Sequence, residues 1–195
     1  MSNLKQLLGF PFREREWFMK MIIGSVISIV PIVNFLSLGY FIRCIQNSWR
    51  GYQSMPDWDN WGELFRNGCM VFVILLAYLV LPISLGFLML ALPVVGTVFA
   101  SLIIFIMSII IPMAIANYAI HMNIRDAFAF TEIFYRSGRV LSVYLAGYLA
   151  VTLGLILGSV LLVGIPILGF VGGLLMFYCG VVFFNFMGIL YREAN

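Results

Sequence analysis

Ser54-Met-Pro-Asp-Trp-Asp-Asn-Trp-Gly-Glu-Leu-Phe-Arg-Asn-Gly68 is the longest polar island in the chain, and it decides how the rest is divided. It sets Trp58 and Trp61 beside Asp57, Asp59 and Glu63. From Asn67 to Ile124 no residue carries a charge, a run of 58 residues. Two further charge-free runs, Met21–Ile42 and Val140–Tyr191, hold 22 and 52 residues. All Lys, Arg, Asp and Glu fall between these runs or at the two ends.

An aqueous surface cannot be covered from this composition. Of 195 residues, 63% are hydrophobic and 10% charged, with mean hydropathy +1.07. A soluble domain is about 45–50% apolar and about 25% charged. The chain is therefore expected to be an integral membrane protein with no separate soluble domain: one membrane domain, 1–195, made of units 1–50, 51–122 and 123–195. The charged N-terminus shows no small-residue cleavage pattern after a short apolar core, so no cleaved signal peptide is expected. Cys44, Cys69 and Cys179 are scattered and form no C-x-x-C, which suits apolar filling and not metal or disulfide chemistry.

A helix crosses the ~30 Å hydrocarbon core with ~20 residues. The first run allows one crossing and the other two allow a pair each. Five crossings would place Arg43, Arg50 and Arg66 on the side opposite Lys5–Lys20, against the tendency of basic loops to stay cytoplasmic. Folding the first run into a short hairpin at Pro31 gives six apolar segments. All 11 Lys and Arg then share one face. The expected setting is the inner, cytoplasmic membrane of the cell, with both termini cytoplasmic.

Repetition supports six segments. Gly24-Ser-Val then Pro31-Ile-Val-Asn34, Gly86-Phe-Leu then Pro93-Val-Val-Gly96, and Gly158-Ser-Val then Pro166-Ile-Leu-Gly169 repeat one knot. Proline closes a helix and glycine permits tight reversal. Trp61-Gly-Glu-Leu-Phe-Arg-Asn-Gly68 parallels Phe130-Thr-Glu-Ile-Phe-Tyr-Arg-Ser-Gly138. The fold class expected is all-α integral membrane, three helical hairpins with interfacial amphipathic helices, and segments 14–30, 32–50, 62–91, 94–121, 140–163 and 167–191. The first pair is short, so it dips in as a re-entrant hairpin or crosses a thinned bilayer. Pro31 is expected to pack against the other hairpins, because irregular backbone at membrane depth needs cover. Pro82 and Pro112 are expected to kink their helices.

Taken as a helix, Trp58–Asn67 gathers Trp58, Trp61, Leu64 and Phe65 on one side and Asp59, Asn60, Glu63, Arg66 and Asn67 on the other. Ser54-x-x-Asp57 resembles a capping box. Such a helix lies at the headgroups, and its acidic polar face suits clipping the hairpin bases together or presenting Asp57, Asp59 and Glu63 to a partner. Glu63/Arg66 and Glu132/Arg136 have the spacing of local helix ion pairs.

No catalytic constellation stands out. His121, the one histidine, follows Asn117 by four residues and can share a hydrogen bond with it at a membrane edge. No clustered His or Cys suggests a metal, no elbow motif a nucleophile, and no glycine-rich fingerprint a nucleotide. No cofactor and no nucleic-acid partner are expected. Gly154-x-x-x-Gly158 is a small-residue pair for close helix packing. Asn34, Asn117 and Asn185 either bond across helices or line a polar path.

Gly39-Tyr40-x-x-Arg43, then Gly51, then Pro56-x-Trp58-x-x-Trp61-Gly62-x-Leu64-Phe65-x-x-Gly68 resembles the hallmark of a prokaryotic membrane family catalogued as domain of unknown function 4013. The resemblance spans nearly the whole chain and implies a membrane protein with no assigned activity, so it brings no catalytic or binding residues with it. The interaction candidates from the residues themselves are Tyr40, Arg43, Asp57, Trp58, Asp59, Trp61, Glu63 and Phe65. The expected function is a non-enzymatic structural or interaction component that self-associates through its glycine-rich hairpins. Its expected partners are the lipid bilayer, a second copy and another membrane protein. The alternative is a transporter or channel for a small or lipid-like solute.

Overall fold

The computed structural model describes residues 8–52, 54–88, 93–164 and 169–194, and within them it is helical with no strand. Among the described residues these α-helices follow one another: α1 Trp17–Ile29, α2 Phe35–Trp49, α3 Trp61–Leu88, α4 Pro93–His121, α5 Phe130–Arg139, α6 Leu141–Gly164 and α7 Gly169–Glu193. Short 3-10 turns occupy Pro11–Arg13 and Asp126–Phe128. The reversal at Pro166 and the cation Lys5 lie outside the described residues.

Four helices, α3, α4, α6 and α7, are long and apolar enough to cross a membrane. Their 24–29 residues rise ~36–44 Å. In lipid each backbone N–H must find its carbonyl within the segment, and a continuous helix provides this. Pro82 and Pro112 both sit inside unbroken helix, α3 and α4 respectively.

Helix α7 is the hub. Of the most apolar 18-residue window of α7, 61% is buried, against 6% for α6, which therefore lies outermost. Missing side chains make the close approach possible. A Cβ on Gly172 would stand 2.6 Å from the carbonyl oxygen of Gly158, and one on Gly180 would stand 2.5 Å from the ring of Phe41. Gly188 faces the Ile45 carbonyl, and Gly154 the thiol of Cys179. Gly154, Gly158, Gly172, Gly180 and Gly188 thus serve packing within the chain.

Helices α3 and α4 change character along their length. Leu64, Val71, Ile74 and Tyr78 are buried, whereas Leu79, Val80, Ile83 and Phe87 are exposed. On α4, Val98, Phe99, Leu102 and Phe105 are exposed, and Met113 to Ala119 are buried. The two helices form an apolar arm projecting from the packed end, as lipid-facing helices do.

The first pair is short. Helix α1 has 13 residues and α2 has 15, a rise of ~20 and ~22 Å. Pro31 at their reversal is exposed and not packed against the other hairpins, which corrects the expectation above. Within the reversal the carbonyls of Val30, Ile32, Val33 and Asn34 accept N–H groups of residues 34–38.

Candidate functional site

The polar island is not the amphipathic helix that periodicity suggested. Helix α3 starts at Trp61, one residue before the expected segment 62–91 and three after the expected start of the surface helix at Trp58, and residues 54–60 run as an irregular strap. Asn60, with φ +45°, closes the strap, and its carbonyl accepts from the N–H groups of Glu63 and Leu64 at 2.8 and 3.1 Å. Ser54 and Asp57 therefore do not box a helix start. Tertiary donors hold the strap instead. Tyr40 on α2 donates its hydroxyl to the Pro56 carbonyl at 2.8 Å. Arg43, one turn on, donates to the carbonyls of Asp57 at 3.3 Å and Asp59 at 3.1 Å. Trp58 donates its indole N–H to the Lys20 carbonyl at 3.1 Å. The Tyr40 and Arg43 bonds satisfy the carbonyls of Pro56, Asp57 and Asp59 and so replace helical pairing there, and the Trp58 bond ties the strap to α1.

The acids face two cations. Lys20 on α1 pairs with Glu14 and, at 2.6 Å, with Asp57. Arg43 pairs with Asp59 and, at 3.1 Å, with Glu63. Glu63 thus reaches across to α2 and not along its own helix to Arg66. Both cations are largely buried, whereas the side chains of Asp57, Asp59 and Glu63 are 75%, 63% and 45% exposed. Four carboxylates share two cations, so the cluster keeps negative charge on its wet side.

Beneath the strap lies an aromatic stack. Trp58 lies parallel to Tyr40 with centroids 4.2 Å apart, and Trp61 stacks on Trp58 at 5.7 Å. Phe177 of α7 closes the stack 6.1 Å from Trp58. Met21, Tyr40, Cys44, Met55, Leu64 and Phe177 form a small core of their own. Trp61 and Phe65 remain exposed, as headgroup-level aromatics are. Asn67, assigned by periodicity to the wet face, is buried, because the α3 face carrying it turns inward with Leu64 and Val71.

All eight candidates, Tyr40, Arg43, Asp57, Trp58, Asp59, Trp61, Glu63 and Phe65, lie on this strap or on the helices it bridges. Lys20 and Glu14 were missed. Lys20 is the one charge within the apolar helix α1, and that isolation was a signal that it had a partner.

A second polar cluster joins α4, α5 and α7. Asn117 donates to the Asp126 carbonyl at 2.7 Å, and its side-chain oxygen accepts the hydroxyl of Tyr191. Arg136 binds Glu132 through two nitrogens at 2.8 and 3.0 Å, and its guanidinium lies 4.3 Å over the Tyr191 ring. Burial works against the Glu132 carboxylate, but the Arg136 hydrogen bond and charge outweigh it and hold the group below its usual range. His121 reaches the backbone carbonyl of Asn117 at 3.0 Å, not its side chain, and stands 3.9 Å from Asp126. Asn117 is consumed by this network and does not line an open path. Among the described residues no group of three or more His, Cys, Asp or Glu could hold a metal.

A family model described as a protein of unknown function, DUF4013, matches residues 23–177. The chain belongs to the DUF4013 family. It is also 28% identical over 120 residues to an uncharacterized protein of Methanocaldococcus jannaschii, covering 54% of this chain and 42% of that protein. The chain thus spans less than half the length of that curated relative. No solved structure matches. For this DUF4013 member the sequence block quoted above is one physical unit. Gly39 faces the Leu64 carbonyl, Gly68 faces the Phe35 carbonyl, Gly51 takes φ +91°, and Tyr40, Arg43 and Trp58 pin the strap. Gly62 meets nothing within 4 Å, and nothing in the structure explains it.

Proposed function

We propose that this DUF4013 protein is a non-enzymatic structural component of the cytoplasmic membrane, with both termini cytoplasmic, and that its strap is a docking platform for a cationic segment of another membrane protein. One observation carries the proposal: Asp57 and Asp59 on a strap pinned by Lys20, Tyr40 and Arg43, and Glu63 in the first turn of α3 beside it, leave their side chains 75%, 63% and 45% exposed. Prepaid rigidity lowers the ordering cost of binding, and unbalanced negative charge steers a basic partner. Self-association is not part of the proposal; Gly154 and Gly158 are taken up in contacts with α7 of the same chain.

Crosslinking in native membranes from a residue beside the strap, followed by isolation in mild detergent, tests it. The expected result is a defined partner whose crosslink is lost in the Asp57→Asn, Asp59→Asn, Glu63→Gln variant and weakens with salt. A monomer with no crosslink, or a crosslink indifferent to the three substitutions, overturns it.

A further inference from the structure

The tip of the first hairpin is apolar and exposed. Ile29, Val30, Pro31, Ile32 and Val33 form five consecutive exposed apolar residues, with Ile32 at 70%. Ile32 has φ +70°, a conformation that water-facing turns give to Gly or Asn and that costs a side-chain-bearing residue ~1–2 kcal/mol. An apolar side chain is kept there despite that cost.

The backbone of the tip is arranged for the same surroundings. The N–H of Asn34 donates to the Val30 carbonyl at 3.0 Å, that of Phe35 to Ile32 at 3.3 Å and that of Leu36 to Val33 at 3.0 Å. The Asn34 carbonyl accepts from Ser37 and Leu38 at 3.0 and 3.2 Å. Pro31 has no N–H to satisfy. In hydrocarbon every unmatched polar group costs several kcal/mol; the reversal matches these four carbonyls, while the N–H groups of Ile32 and Val33 make no backbone bond.

Measured along α3, the tip stops short of the far end of that helix. The Phe35 ring meets Phe72 at 5.1 Å, and α3 continues 16 residues beyond Phe72 to Leu88, a further ~24 Å. Ile29 lies against Gly173, about one turn from the start of α7, so the tip comes closer to that end of α7 than to Leu88 of α3. The ~20 Å rise of α1 is less than the ~30 Å core. The other end of the hairpin is held at the strap through Lys20, Tyr40 and Arg43.

We propose that α1 and α2 form a re-entrant hairpin that enters from the strap side, turns inside the hydrocarbon and binds lipid acyl chains at Ile29–Val33. This rests on the membrane reading alone and not on the docking platform, so each can fail without the other.

The unaltered protein, reconstituted in vesicles of phosphatidylcholine carrying a mid-chain diazirine, is irradiated and mapped by mass spectrometry. Adducts at Ile29–Val33, together with adducts on the outward residues Leu153 and Leu157, are expected. Adducts on α6 with none at the tip overturn the proposal. In a second measurement Ile32→Cys is treated with an impermeant maleimide from each side of the vesicle. Labelling no higher than that of the unaltered chain is expected from both sides, rising several-fold once the bilayer is dissolved. Labelling from either side of the intact bilayer overturns the proposal.

Discussion

Gly39 on α2 and Leu64 on α3 touch backbone to backbone: a Cβ built on Gly39 would fall inside the Leu64 carbonyl group. One turn away, Gly68 and Phe35 make the reciprocal contact, so the two helices cross at a pair of glycines. This crossing sets Arg43 opposite Glu63 and brings the strap over Tyr40.

Gly39→Ala is expected to force the helices apart and destabilise the protein by about 1–3 kcal/mol, the usual cost of overpacking. Gly62→Ala, where nothing lies within 4 Å, is expected to be neutral or slightly stabilising. Thermal unfolding in detergent distinguishes the two, and equal effects would rule out the crossing.

Arg43→Gln leaves the carbonyls of Asp57 and Asp59 without their donor and frees two carboxylates. The carboxylates rehydrate, being 63% and 45% exposed, so most of the cost comes from the strap, on the order of 1–3 kcal/mol. Arg43→Lys is expected to recover only part of it, since one ammonium cannot span both acids and both carbonyls. Fluorescence of Trp58 and Trp61, which stack above Tyr40, reports release of the strap.

Tyr40→Phe removes one hydrogen bond, to Pro56, and keeps the ring stacked on Trp58. The expected loss is about 1 kcal/mol. Trp58→Ala empties the stack and is expected to cost more, about 3–5 kcal/mol for a large aromatic.

Glu132 has a folded-state pKa below its ordinary value of 4.5. The stability it contributes is complete above the unfolded-state pKa and is lost as pH falls through the lower folded-state value. The stability difference between the wild-type chain and Glu132→Gln is therefore expected to be constant near neutral pH and to shrink as pH falls below about 4. A difference that grows on acidification would contradict the Arg136 pairing.

Asn67 is buried on α3, and neither its amide nitrogen nor its amide oxygen has a hydrogen-bond partner. Asn67→Leu keeps the volume and removes the desolvated polar atoms. It is expected to raise the unfolding temperature, by a gain of about 1–3 kcal/mol. A fall would show that the amide is used.

The helices were legible in the sequence to within a few residues, because an uncharged run of known length in hydrocarbon has few alternatives to helix. The acidic-aromatic island and the glycine pair Gly154 and Gly158 were legible too, from residue type and spacing. What tertiary structure alone decided was where the island's atoms point. Periodicity made Trp58–Asn67 one helix, but donors on Lys20, Tyr40 and Arg43, which lie 35, 16 and 14–16 residues from their acceptors in sequence, hold residues 54–60 out of it. Local propensity cannot register such bonds. The same holds for Asn67, turned inward by the Gly39 crossing, and for Pro31, left exposed at the tip of the first hairpin. Composition determined the solvent in which this chain is helical; contacts between residues distant in sequence decided which of its polar groups still face water.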